Sequence, residues 1–547
     1  MPEKNPESPA TTCMAYDIML PRWEVVSDLI GGTPRMRGAS ERYLPRHENE
    51  SPVAYEERLG RAVLLNQTKR TLLALVGRVF SEPVQIDEST NPAVLGWMDD
   101  IDLQGNAVHV FAREWFKEGL QKGFAAIMVE YPRTSAVANR TRAHDLREGV
   151  RPYWVHIPPE NIIDMSAEMR QGREVITHVR IREEEVRRVG FAQGVVNQIR
   201  SLTVVDAGTP VAVPEGYEHL LGGNPGVASR AAAVGFRDAR VLCVIYEEDT
   251  RQKEDDAKRW PVADAFFLEV PEITLAVFYA DRESMLLATP PLSDLAYLNI
   301  AHWQSTADQT NILTTARFPM LASSGVVDET KITVGPKNWL NIADPAGRWY
   351  FVEHTGASIG AGRDNLKDLE DQMASYGADF LKKKPSGTAT ERVLDEAGGV
   401  SDLEDAAMRF NDSLSMAMYF TALWANIDPD AVGSVAVQTD LAPDSGGPQG
   451  LAEVGQARRN GDLAREMYLQ ELRRFGALDP AFDLEENEAL LEAEREEFVT
   501  NAPALTDIDP GGGDDPDAPD DPDDPRAADF PDEADGANAD AGVVVRG

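Results

Sequence analysis

The chain has 547 residues, 42% of them apolar, and a formal net charge of −39. That length supports several domains or one elongated subunit, while no apolar run approaches the ~18 residues of a membrane-spanning helix and MPEKNPESPATTC lacks an apolar signal core. Only Cys13 and Cys243 occur, which excludes a disulfide framework and a Cys-rich zinc site and fits a reducing cytoplasm.

In chain order, residues 1–40 are mixed in pattern, contain GGTPRMRG and read as a flexible arm. Ser51-Pro52 then forms a helix cap with proline in the first turn, and Leu65, Leu72, Val76, Val79 and Phe80 recur at helical spacing. QGNAVHVFAREWFKEGL (104–120) is a second helix, and FAAIMVEYP after Gly123 is a buried strand ended by Pro132. Residues 133–150 form a polar loop, and RPYWVHIPPENIID is strand, turn, strand, with Pro158-Pro159 at the turn. Val175, Thr177, Val179 and Ile181 alternate with Ile176, His178, Arg180 and Arg182, as in a half-exposed strand. Between 190 and 288, NQIRSLTVVD, ARVLCVIYEED and EITLAVFYA are strands. The Gly/Ala/Pro-rich stretch between the first two is unable to build a core of its own.

PPLSDLAYLNIAHWQSTADQTNILTTARFPMLASSG (290–325) is the longest clear element. Ser293 is a good N-cap and Asp294 suits the positive end of the helix dipole. About 22 residues without Gly or Pro follow, roughly 33 Å of helix, and Pro319 stops it at Phe318. Leu292, Leu295, Ala296, Ile300, Trp303 and Ala307 share one face; Gln304, Asp308, Asn311 and Thr315 form a polar stripe. PMLASSG is a short buried strand. Further strands follow, then an acidic helix from Arg363 that ends in Lys382, Lys383 and Lys384, and more helices beyond 393. Residues 501–547 hold 14 Asp and Glu against 2 Arg and almost nothing apolar, so they read as disordered. The other 500 residues keep −27 of the charge. A broad basic surface that grips nucleic acid is therefore excluded; an acidic wall past which a duplex slides is not.

Gly356-Ala357-Ser358-Ile359-Gly360 matches the G-x-S-x-G nucleophile elbow in a strand-to-helix context. That chemistry needs a histidine after the serine in the chain, and all eight histidines lie at or before His354, so a hinge before the helix is the stronger reading. Neither G-x-x-x-x-G-K-[ST] nor H-E-x-x-H occurs, and the Asp/Pro tail lacks the glycine and glutamate of a calcium loop. No catalytic residue, cofactor or metal ligand is expected.

PPLSDLAYLNIAHWQSTADQTNIL followed by ARFPML resembles the signature segment of a portal-like family of tailed bacteriophages, and the resemblance extends over roughly residues 41–495. It implies an α+β, elongated subunit: an arm (1–40), a mixed α/β wing (41–189), a β-rich clip (190–288), a stem helix (289–318), wing strands (319–360), a tunnel segment (361–392), a helical crown (393–500) and the acidic tail. The resemblance also implies a dodecameric ring at one capsid vertex of the virion, assembled in the host cytoplasm, with no membrane partner. Double-stranded DNA would pass through it during packaging and ejection, and terminase, the major capsid or scaffold protein and head–tail connector proteins would dock on it. On that reading Gln304, Asp308 and Asn311 belong to the channel face of the stem, and Lys382, Lys383 and Lys384 contact DNA. The alternatives are a serine hydrolase built on Ser358 and a monomeric minor head or scaffolding protein.

Overall fold

The computed structural model describes most of residues 5–379 and 401–493; the stretches outside its description include 133–143, 208–212, 222–238, 325–344 and 479–486. The chain divides into two compact units, residues 1–443 and 444–547, and the fold is α+β. The first unit opens with helices α1 (Met14–Ile30) and α2 (Gly32–Ala39). This corrects the reading of 1–40 as a flexible arm. Tyr16, Met19, Trp23, Val26 and Leu29 recur every three or four residues and are all buried, and the Trp23 indole donates to the Lys122 carbonyl at 3.0 Å. Pro21 and the glycines of GGTPRMRG mask this period in the sequence, because proline lacks a donor and glycine is a poor helix former.

Helices α3 (Pro52–Arg61) and α4 (Gln67–Val79) follow; Ser51 accepts from Ala54 N and Asn66 accepts from Lys69 N, each as an N-cap. After β1 (Gln85–Ile86) and α5 (Pro92–Leu95), α6 (Val108–Lys122) ends at Gly123, whose φ of +90° no side-chain-bearing residue adopts readily. The chain then turns into β2 (Phe124–Glu130), which lies between β3 (Tyr153–Ile157) and β9 (Leu275–Tyr279) in an antiparallel three-stranded sheet.

The second sheet is an antiparallel meander of β4 (Ile162–Arg170), β5 (Arg173–Val189), β6 (Ala192–Val205), β7 (Arg240–Glu247) and β8 (Val262–Leu268). The expected boundary between wing and clip at 189/190 falls in the β5–β6 turn, where Val189 faces Ala192. One hydrogen-bonded sheet therefore runs straight across it. The short strands β10 (Arg282–Ser284) and β11 (Leu287–Ala288) lead into α7 (Ser293–Ala316). Strands β12 (Met320–Ser324) and β13 (Arg348–Val352) pair antiparallel, α8 (Ala357–Asp379) follows, and α9 (Asp402–Ala425) opens on a Ser401/Glu404 capping box. Strand β14 (Val435–Ala436) returns to β1.

The core of this unit is aromatic. The Phe410 ring of α9 lies 5.0–5.2 Å from those of Trp115, Phe116 and Phe278. Gly119 makes room for the Phe278 ring: a Cβ there would fall 2.3 Å from it. In the second unit α10 (Gly447–Asn460) ends in a Schellman motif, with Asp462 N bonded to Ala457 O and Gly461 at φ +86°, before α11 (Arg465–Arg474).

Candidate functional site

Helix α7 packs against α1, α3, α4 and α8 and takes part in two of the first unit's apolar clusters. Leu292 and Leu295 enter the aromatic core, while Ala296, Trp303 and Ala307 pack with Val26, Leu29 and Leu59 from α1 and α3. Trp303 is fully buried, on the arc its spacing predicts. The helix runs from Ser293 to Ala316, two residues short of the expected stop at Phe318.

The polar residues of α7 are engaged as well, and here the structure departs from a simple wet face. Asn299 is completely buried; it donates to Leu65 O at 2.8 Å and accepts from both the amide and hydroxyl of Thr68. Gln304 donates to Tyr43 O at 2.9 Å. Asp308 accepts from Arg58 at 3.2 Å and lies 3.3 Å from His47 Nε2. Arg58 is 1% exposed and is held further by a bidentate pair with Glu50, at 2.8 Å for each bond, and by the Pro45 carbonyl. Its hydrogen bonds hold the Glu50 carboxyl below the usual carboxylate range. Asn311 is half-buried. Gln304 and Asp308, expected to line a channel, thus fasten the segment 43–58 of their own chain onto α7. The cue that sequence reasoning missed is Arg58, an arginine in the last turn of an amphipathic helix and in register with Leu59 on its buried side.

Helix α8 closes the opposite side, antiparallel to α7. Contacts step along both: Gln309 donates to Ile359 O at 2.9 Å, His302 Nε2 lies 3.2 Å from Glu370, and the Tyr376 hydroxyl donates to Pro291 O at 3.1 Å. At Gly362 a Cβ would fall 2.2 Å from Gln309 Oε1, so the pair draws close over a glycine. The G-x-S-x-G stretch belongs to this packing. Gly356 takes φ +77° at the start of α8, and Gly360 N bonds back to Gly356 O within the first turn. Ser358 is exposed there, and among the described residues the preceding β13 pairs with β12 alone, antiparallel. A nucleophile elbow tops a central strand of a larger sheet, and this serine does not. Among the described residues no group of His, Cys, Asp and Glu is arranged to hold a metal ion. Lys382, Lys383 and Lys384, like His354, lie outside the described residues.

Residues 291–425, from the start of α7 to the end of α9, match a family described as a domain of unknown function, DUF4055. No curated protein matches the chain. Among solved structures the chain is similar to a component of the neck of an empty gene transfer agent particle, with 8% identity and a TM-score of 0.35 over 75% of this chain and 90% of that one. It is similar also to one in the neck of the native particle (9%, TM-score 0.36, 74% and 89% covered) and to one in the native virion (9%, TM-score 0.34, 76% and 91%).

Proposed function

We propose that this chain is a structural subunit of a tailed-phage-like particle, a portal subunit that assembles with copies of itself into a ring, twelve-fold at one capsid vertex. The observation that carries the reading is the stretch 290–325: the residues that resemble the portal signature form the helix–strand unit α7–β12, and α7 joins the aromatic core to the apolar cluster built by α1 and α3. The charge of −39 supports it further, since acidic walls repel phosphate and keep a passing duplex mobile. On this reading the chain makes and breaks no bond. The ring is the passage for double-stranded DNA during packaging and ejection and the dock for terminase, capsid or scaffold protein and head–tail connectors. Helix α7 then acts as the rigid spine of the subunit, because Gln304 and Asp308 are occupied by the chain's own segment 43–58. Contact with DNA falls instead to the Lys382–Lys384 cluster after α8. Each exposed lysine–phosphate contact is weak and salt-screened, but a ring repeats it around one level of the channel.

Negative-stain microscopy of the purified full chain tests the proposal: ring-shaped particles with a central hole are expected, and compact single particles at every concentration would refute it.

A further inference from the structure

The five-stranded sheet carries an arm that leaves it. Strand β5 parts from β4 at Ile181, which faces Ile162, and β6 parts from β7 at Gln198, which faces Glu247. Beyond those points Asn197 O still accepts from Glu248 N and Arg187 reaches back to Glu247, and from Val196 on β5 and β6 pair along their backbones with each other up to a turn at Gly190-Phe191. The free part of β6 is about five residues, roughly 17 Å at ~3.3 Å per residue. A two-stranded ribbon alone is marginally stable in water, yet this one exposes apolar side chains. Phe191 at the tip is fully exposed, and Val186 and Val195, exposed by 62% and 59%, face each other across the strands. Arg188, two residues beyond Val186 on the same face, is exposed too.

At the other end of β5 lies a hollow of about 240 Å³, lined by Met165, Ile176, Leu275, Met285, Met416 and Phe420. Thioether side chains adapt to whatever fills such a space; of the charged groups around it, Arg173 pairs with Glu272 and Arg282 with Glu174, and exposed Asp412 stands at the rim. Ile176 and Val189 belong to one continuous strand, so hollow and tip lie roughly 43 Å apart at ~3.3 Å per residue. The tip therefore does not reach its own hollow.

We infer that the tip of the β5–β6 arm docks in the methionine-lined hollow of a second copy of this chain, Phe191 entering it and Arg188 meeting Asp412 at the rim. A contact between two different surfaces is heterologous, and it closes into a ring when the rotation between copies allows. The inference rests on the ring proposed above. A second copy is the occupant that fits, because the matching charge and the matching concavity are both present on this same chain.

The test uses full-length chains in a Cys13→Ser background, one carrying Phe191→Cys and the other Met416→Cys, mixed with a short bismaleimide. A cross-linked dimer is expected in the mixture and in neither variant alone. Separately, Arg188→Asp and Asp412→Arg are each expected to raise the concentration at which assemblies dissociate about ten-fold or more, and the double variant to recover. If the original chain assembles while the mixture gives no dimer and the double variant no recovery, the docking is wrong and the ring stands. A chain that is monomeric throughout overturns both.

Discussion

Helix α7 and the β5–β6 arm depart from ordinary sorting in opposite directions. The helix carries Asn299, Gln304 and Asp308 into contact with its own chain, where carbonyls, a hydroxyl and a buried guanidinium satisfy them. The arm carries Phe191, Val186 and Val195 out into solvent. Polar groups inside cost little once paired, whereas apolar groups outside forgo burial worth about 1.5–3 kcal/mol each. On the docking proposed above, the first region is complete within one chain and the second is completed by another copy, and substitutions should separate them.

The largest effect belongs to the enclosed helix. Trp303→Ala should cost roughly 3–5 kcal/mol, the range for emptying a large core position, read as a lower urea midpoint; an unchanged midpoint would mean that Trp303 is not a core position. Next comes the buried ion pair. Glu50→Gln leaves Arg58 with half-exposed Asp308 as its remaining carboxylate and should cost about 3 kcal/mol. The same pair predicts an acid dependence. Because the folded Glu50 value lies below the ordinary 4.5, its contribution is complete above that value and is lost as pH falls through the lowered one. Proteolysis within 43–58 should accelerate on acidification in the unaltered chain and change much less with pH in Glu50→Gln.

Smaller still, Asp308→Asn should cost about 1 kcal/mol, since its carboxylate is 43% exposed and Glu50 remains on Arg58. Finding Asp308→Asn as damaging as Glu50→Gln would show that the two carboxylates share the arginine equally. The smallest effect on folding should come from the arm: Phe191→Ala should leave the urea midpoint of the isolated chain within about 0.5 kcal/mol. Replacement of Lys382, Lys383 and Lys384 by alanine should likewise leave ring formation intact while DNA packaging or retention falls, most clearly at low salt. Unchanged packaging would return these lysines to the role of a helix end.

Much of the first unit is legible in the sequence where one period dominates. The inward arc of Trp303, Ala296 and Ala307 follows from 3.6-residue spacing, as do the buried positions of α4, and unbroken apolar FAAIMVE identifies β2. Where two signals compete, reading fails. In α1, Pro21 outweighs a heptad-like run of buried residues; at 189/190, a glycine turn looks like a domain edge but is a hairpin inside one sheet. The polar stripe of α7 is visible, but its partners are not, because contacts between Gln304 and Tyr43 or Asp308 and Arg58 span 250 residues or more and leave no local pattern. G-x-S-x-G shows the converse: a perfect local match whose Gly356 serves a helix start at φ +77°, while the close helix–helix approach falls at Gly362, just beyond the motif.

The central claim is assembly into a ring, and the mass of the purified full chain by light scattering tests it most directly. The account predicts a discrete particle near twelve times the 60.0 kDa chain mass, stable on dilution; a single 60.0 kDa species across the accessible concentration range would contradict it.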